Sequence, residues 1–167
     1  RKCALKEMSI SAFNDPKERQ RAIRAFEQEA RILANLSHLS LPRVTDHFSE
    51  RNKHFLVMDY VEGESLLEML EKRHSPFSEA QVLDWADQLC DVLHYLHSQI
   101  PPIIYRDLKP ENIIVSPDGK AVRLIDFGIA RTYKPQKGQD TTKMGTPGYA
   151  PPEQYGKGQS DARSDVY

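Results

Sequence analysis

Apolar residues recur at three- and four-residue steps from Lys17 to Leu36, at Ala22, Ile23, Phe26, Ala30, Leu33 and Leu36, with charges between them. That spacing lines one face of a helix and predicts an amphipathic helix of about five turns. Asn14-Asp15-Pro16 stands at its start, where an Asn or Asp oxygen can accept from free backbone N–H groups and proline fits the first turn. Ahead of it, Cys3 to Met8 reads as a short strand. Behind it, the runs Arg43 to Ser49 and His54 to Tyr60 read as strands joined through the polar turn Glu50-Arg51-Asn52-Lys53. Val61-Glu62-Gly63 breaks the pattern, and a short helix is expected from Ser65 to Lys72.

Ser78, with Gln81 three residues on, predicts a capping box opening a long helix to about His97. Its expected apolar stripe is Val82, Trp85, Ala86, Leu89, Val92, Leu93 and Leu96. After Pro101-Pro102 the texture changes to short apolar runs, Ile103-Ile104, Ile113 to Val115 and Val122 to Ile125, separated by turns such as Pro117-Asp118-Gly119. Short strands bracketing polar loops often build a site. Lys134 to Gln139 is polar and reads as a mobile loop.

The 167 residues are 39% hydrophobic and 28% charged, which suits one globular domain or part of one. A formal net charge of −1 provides no overall field for nucleic acid or an anionic membrane, so phosphate-handling chemistry must come from a local site. Cys3 and Cys90 lie far apart and in no metal-ligand spacing, which points to a reducing, cytoplasmic setting. No apolar stretch approaches the roughly 20 residues needed to span a bilayer, and no membrane contact is expected from this segment. The opening strand has no turn or start methionine before it, so the chain is expected to begin inside a domain.

Candidate chemistry concentrates in Tyr105-Arg106-Asp107-Leu108-Lys109-Pro110-Glu111-Asn112, with Asp126-Phe127-Gly128 beginning 14 residues after Asn112. One loop thus carries a carboxylate, a lysine and an amide, and a second carboxylate follows a predicted hairpin. Phosphoryl transfer needs such a set: a carboxylate for the attacking hydroxyl, cations for the phosphates, and hard oxygen ligands for Mg²⁺.

These motifs resemble the eukaryotic-type protein kinases, whose catalytic loop reads H-R-D-L-x-x-x-N with D-F-G beyond it. The resemblance covers essentially the whole chain. It implies an α+β, two-lobe kinase fold that is partial here, with residues 1–61 giving part of the small lobe and the hinge. Residues 62–167 would give part of the large lobe, ending at the start of its central buried helix. The glycine-rich loop and the first strands would lie before Arg1, and the chain by itself is expected to be inactive.

Carried over residue by residue, the resemblance makes Asp107 the catalytic base, Lys109 a γ-phosphate contact, and Asn112 and Asp126 the ligands of Mg²⁺ or Mn²⁺. Cys3-Ala4-Leu5-Lys6 is similar to the V-A-I-K strand, so Lys6 would meet the α/β-phosphates of ATP and Glu29 would be its ion-pair partner. Met58 would back the nucleotide pocket, Asp59 and Val61 would bond adenine through the hinge backbone, and Ala4 and Ile114 would sandwich the base. Leu33, Tyr105 and Phe127 would form part of a packed column between the lobes.

Gly145-Thr146-Pro147-Gly148-Tyr149-Ala150-Pro151-Pro152-Glu153 resembles the end of an activation segment, and Asp165 resembles the buried aspartate that braces the catalytic loop. Thr141 and Thr142 are candidate regulatory phosphorylation sites with Arg106 as the phosphate's partner. Lys109 and Thr146 imply serine/threonine hydroxyls of proteins as substrates and a role in signalling. Tyr105 in place of the usual histidine looks most like bacterial members of the family. Two other classes stay open, a pseudokinase scaffold that binds nucleotide and a small-molecule phosphotransferase of the same fold. His94 and His97 have a spacing that could bind metal, but with no third ligand nearby a helix-face or packing role is expected. Trp85 is expected in the core, and the charged start of the first helix is read as a solvated face.

Overall fold

The computed structural model describes residues 2–9, 15–51, 53–127, 130–132, 146–156 and 158–167, with the side chains of Ser9, Ala25, Glu29, Arg131 and Thr132 outside that description. Strand β1 (Cys3–Ser9) pairs antiparallel with β3 (Lys53–Asp59), setting Ala4 opposite Met58 and Lys6 opposite Leu56. Strand β2 (Val44–Glu50) pairs on the other side of β3, which makes a sheet of order β1-β3-β2.

Helix α1 (Pro16–Ala34) starts where the sequence predicts, with Asp15 as its N-cap, accepting from the Lys17 N–H at 3.0 Å, and Pro16 in the first turn. Its stripe delivers Phe26, Ala30 and Leu33 to the core, where they share one buried cluster with Leu56 of β3.

Gly63 follows at φ 143°, and a Cβ there would meet the Val115 carbonyl oxygen at 2.0 Å, so only glycine permits this approach of two backbones. That approach lets the two-residue strand β4 (Glu64–Ser65) pair with β6 (Ile113–Val115), which pairs in turn with β7 (Val122–Leu124). Helix α2 (Leu66–Lys72) grows from Ser65 through a full capping box with Glu68. The backbone and side-chain bonds from Ser65 hold the Glu68 carboxyl below the usual carboxylate range.

Helix α3 (Glu79–His97) is capped by Ser78, which accepts from the Gln81 N–H at 3.3 Å. Trp85, Val92, Leu93 and Leu96 are buried, as expected. Val82 and Ala86 are exposed instead. They lie roughly 60–100° round the helix from Trp85, on the flank of the stripe. Trp85 packs edge-on against Phe77 and donates to the Gly119 carbonyl at 2.9 Å, which fixes α3 to the turn between β6 and β7. The last strands, β5 (Ile103–Ile104) and β8 (Arg131–Thr132), form a two-stranded pair. Among the described residues, no helix is long and apolar enough to cross a membrane.

Tyr105 and Phe127 belong to the same buried cluster as Leu33 and Leu96, so the core is continuous from the sheet of β1 to α3. Burying each large apolar side chain of this cluster contributes about 1.5–3 kcal/mol. Lys134 to Gln139 lies outside the described residues.

Candidate active site

The chain leaves β5 at Tyr105, runs irregularly to Lys109 and closes in a 3-10 turn, Pro110–Asn112. Arg106 adopts φ 71°, a left-handed conformation sparsely populated by residues with a side chain. Such strain persists only where the surroundings over-determine it. Here the buried Asp165 carboxylate accepts the Tyr105 N–H at 2.8 Å and the Arg106 N–H at 2.6 Å. Asp165 ends the 3-10 turn Ala162–Asp165, which starts at a capping box between Asp161 and Ser164. The Arg163 guanidinium bonded to Asp161 holds that carboxyl below its ordinary range.

Asp107 is the meeting point of the loop. Asn112 Nδ2 donates to its Oδ2 at 2.8 Å and to its backbone oxygen at 2.9 Å. The Thr146 hydroxyl donates to Asp107 Oδ1 at 3.0 Å and accepts from Lys109 Nζ at 2.9 Å. Lys109 Nζ also lies 3.2 Å from Asp107 Oδ2. A carboxylate, a cation and an amide of one loop are therefore fixed to one another and to the hydroxyl of Thr146 from a later segment. The arrangement can orient a hydroxyl on Asp107 and place positive charge beside it.

A second centre forms between the two sheets. Lys6 Nζ and Asp126 Oδ1 lie 2.8 Å apart, from residues 120 positions apart in sequence. Their side chains are 33% and 48% exposed, so the pair contributes only about 0–1 kcal/mol to stability. Its interest is where it brings the two groups. Asp126 itself sits at φ 64°. Ile125 N–H donates to the Asn112 carbonyl at 2.9 Å, and the Tyr105 hydroxyl donates to the Ile125 carbonyl, so both centres hang on one backbone framework. Burial, with the negative charges of Asp107, Asp126 and Asp165 behind it, pushes the Tyr105 phenol well above its usual pKa. Tyr105 also packs edge-on against Phe127, with ring centroids 5.0 Å apart.

The donor chemistry fits a hard cation. Asn112, whose amide nitrogen bonds Asp107, carries an amide oxygen, and Asp126 supplies a carboxylate. Oxygen ligands of this kind suit Mg²⁺. Ala4, Met58 and Ile114 are half-buried apolar or sulfur-bearing side chains, and Val61 is half-buried beside the exposed Tyr60. Asp59 closes β3, and its N–H donates to the Arg43 carbonyl at 2.9 Å. The side chain of Glu29 lies outside the described residues, as do Gly128, Thr141, Thr142 and Gly145.

The sequence assigns no part in the site to two contributors. His97, given only a helix-face or packing role above, places Nε2 2.7 Å from Asp165 Oδ2, so the end of α3 joins the same carboxylate. Gln154, in the 3-10 turn Pro152–Tyr155, donates Nε2 to the Arg106 carbonyl at 3.0 Å. Glu153 beside it accepts a hydrogen bond from the Ser164 hydroxyl. A cavity of about 410 Å³ opens beside Asp107, Lys109, Thr146, Gly148 and Tyr149 and extends along α3.

The chain is 36% identical over 164 residues to the serine/threonine-protein kinase Nek1 of Mus musculus, covering 98% of this chain and 13% of that protein. It is 40% identical over 149 residues to the serine/threonine-protein kinase pkn2 of Myxococcus xanthus, covering 85% and 17%. Against myosin light chain kinase 3 of Rattus norvegicus it is 38% identical over 128 residues, covering 76% and 16%. The chain thus spans between 13% and 17% of the length of these relatives. The protein kinase domain description matches residues 1–167. A match over every residue, with the Asp107 loop and the Lys6–Asp126 pair inside it, makes the chain a member of the protein kinase domain family.

Proposed function

We propose that the protein transfers the γ-phosphate of ATP to serine and threonine hydroxyls of other proteins and of itself. The observation that carries this reading is the cluster in which Thr146, Lys109 and Asn112 all bond the Asp107 carboxylate or lie against it. In this reading residues 1–61 supply part of the small lobe and the hinge, and residues 62–167 part of the large lobe. The substrate hydroxyl oxygen attacks the γ-phosphorus, the bond to the β,γ-bridging oxygen breaks, ADP leaves, and Asp107 takes the hydroxyl proton. Lys109 neutralises the γ-phosphoryl oxygens, and Lys6 would meet the α/β-phosphates, with Glu29 in place of Asp126 as its ion-pair partner in the nucleotide-bound protein.

Asn112 and Asp126 would hold Mg²⁺ or Mn²⁺, which when bound supplies charge neutralisation on the phosphates. Ala4, Met58 and Ile114 would enclose adenine, with Asp59 and Val61 offering backbone groups at the hinge. Ala4 and Met58 stand opposite each other across β1 and β3, which supports that grouping. Thr141 and Thr142 would be the regulatory phosphorylation sites, with the buried Arg106 as partner. Free, exposed Cys3 and Cys90 suit a reducing, cytoplasmic setting.

The test is magnesium-dependent transfer from labelled ATP by the full-length protein to itself and to a generic protein substrate, compared with its Asp107→Asn variant. The expected result is label on serine and threonine, Thr141 and Thr142 among the sites, and its loss in the variant. ATP binding without any transfer would replace this reading with a nucleotide-binding scaffold.

A further inference from the structure

We propose that Gln154 is a positioning residue for phosphoryl transfer: together with Asp165 it clamps the backbone on both sides of Arg106 and so fixes the direction of Asp107. The proposal rests on the kinase reading above. Arg106 has φ 71°, and the peptide before it is held at its N–H by Asp165 Oδ1 at 2.6 Å. The peptide after it, which leads directly into Asp107, is held at its carbonyl by Gln154 Nε2 at 3.0 Å. Rotation of that second peptide would swing the Asp107 carboxylate out of its contacts with Asn112 and Thr146.

Packing alone does not account for an amide at this place. Gln154 is 0% exposed, and among the described residues its Oε1 finds no hydrogen-bond partner. Leucine or methionine of similar volume would fill the site without burying an unpaired oxygen, and such burial is unfavourable. What only the amide provides is a donor aimed at the Arg106 carbonyl. Because Gln154 follows Thr146 in sequence and lies within the Pro152–Tyr155 turn, the same bond ties that segment to the loop it serves.

The test uses Gln154→Met, which keeps the volume and removes the donor, and Gln154→Glu, which donates only when protonated. In Gln154→Met, kcat is expected to fall roughly 10- to 100-fold, the scale of a displaced catalytic group, while KM for ATP and the melting temperature stay near the parent's. In Gln154→Glu the deficit should narrow toward acid pH as the carboxyl regains its proton. An unchanged kcat, a kcat that falls only together with ATP binding and melting temperature, or a deficit in Gln154→Glu that ignores pH would each overturn the proposal. Hydrogen exchange at Arg106 and Asp107 separates this from the kinase reading. If the parent itself transfers no phosphate, that reading falls, and faster exchange in Gln154→Met still upholds the clamp while unchanged exchange removes it.

Discussion

The carboxylate of Asp165 accepts the Tyr105 N–H at 2.8 Å although 60 residues separate the two. The same oxygen meets His97 Nε2 at 2.7 Å, and its partner oxygen takes the Arg106 N–H at 2.6 Å. One carboxylate, 2% exposed, therefore gathers donors from the end of α3 and from the loop that carries Asp107. Leaving such donors buried without an acceptor costs more than the net value of making the bonds.

Asp165→Asn would keep the shape and replace one acceptor oxygen with an NH₂ group that faces a donor. Hydrogen bonds to charged groups contribute about 1.5–3 kcal/mol each, so destabilisation of about 2–4 kcal/mol is expected. Urea unfolding with an unchanged slope and a lower midpoint would report it. A shift below about 0.5 kcal/mol would show that the loop does not depend on this carboxylate.

Tyr105→Phe removes the hydroxyl that donates to the Ile125 carbonyl and should cost about 1 kcal/mol near neutral pH. Its pH dependence has a definite sign. Burial keeps the folded-state phenol protonated well past its usual range, whereas in the unfolded chain it ionises near about pH 10. The contribution of Tyr105 is thus full below about pH 10 and is lost as pH rises toward the folded-state value, because the unfolded chain releases a proton that the folded one keeps. The stability gap between parent and variant should therefore shrink between about pH 9 and about pH 11, and denaturant titrations across that range measure it.

Thr146→Val removes a hydroxyl that bonds Asp107 and Lys109 at once. Loss of this link should lower kcat about tenfold or more with KM for ATP near the parent's, since the nucleotide does not depend on it. Steady-state kinetics with a serine peptide decide the matter. A rise in KM for ATP with kcat preserved would move Thr146 from orienting the carboxylate to binding nucleotide.

Much of this fold was legible because long elements carry their own signals. Helix α1 shows a stripe and an Asp-Pro start, α3 shows Trp85, Val92 and Leu96 behind Ser78, and the β2–β3 hairpin shows two runs around a polar turn. Strands β4 and β8 are two residues each, too short to display a period, and they exist because Gly63 and the Ile103-Ile104 pair bring partners to them. Asp107, Lys109 and Asn112 stood out because their chemistry lies within a single loop. Gln154 and His97 did not, because each acts on a group 48 or 68 residues away through one side-chain bond.

Synthesis from the N-terminus gives the Asp165 anchor a place in time as well as in space. At roughly 5–20 residues per second, the loop at Tyr105 and Arg106 is made several seconds before Asp165 exists. During that interval Asp165 is not yet there to accept the Arg106 N–H, so the nascent chain lacks the bond that holds the loop before Asp107 in the folded protein. The order of residues thus delays assembly of the loop until the segment that closes it has emerged from the ribosome.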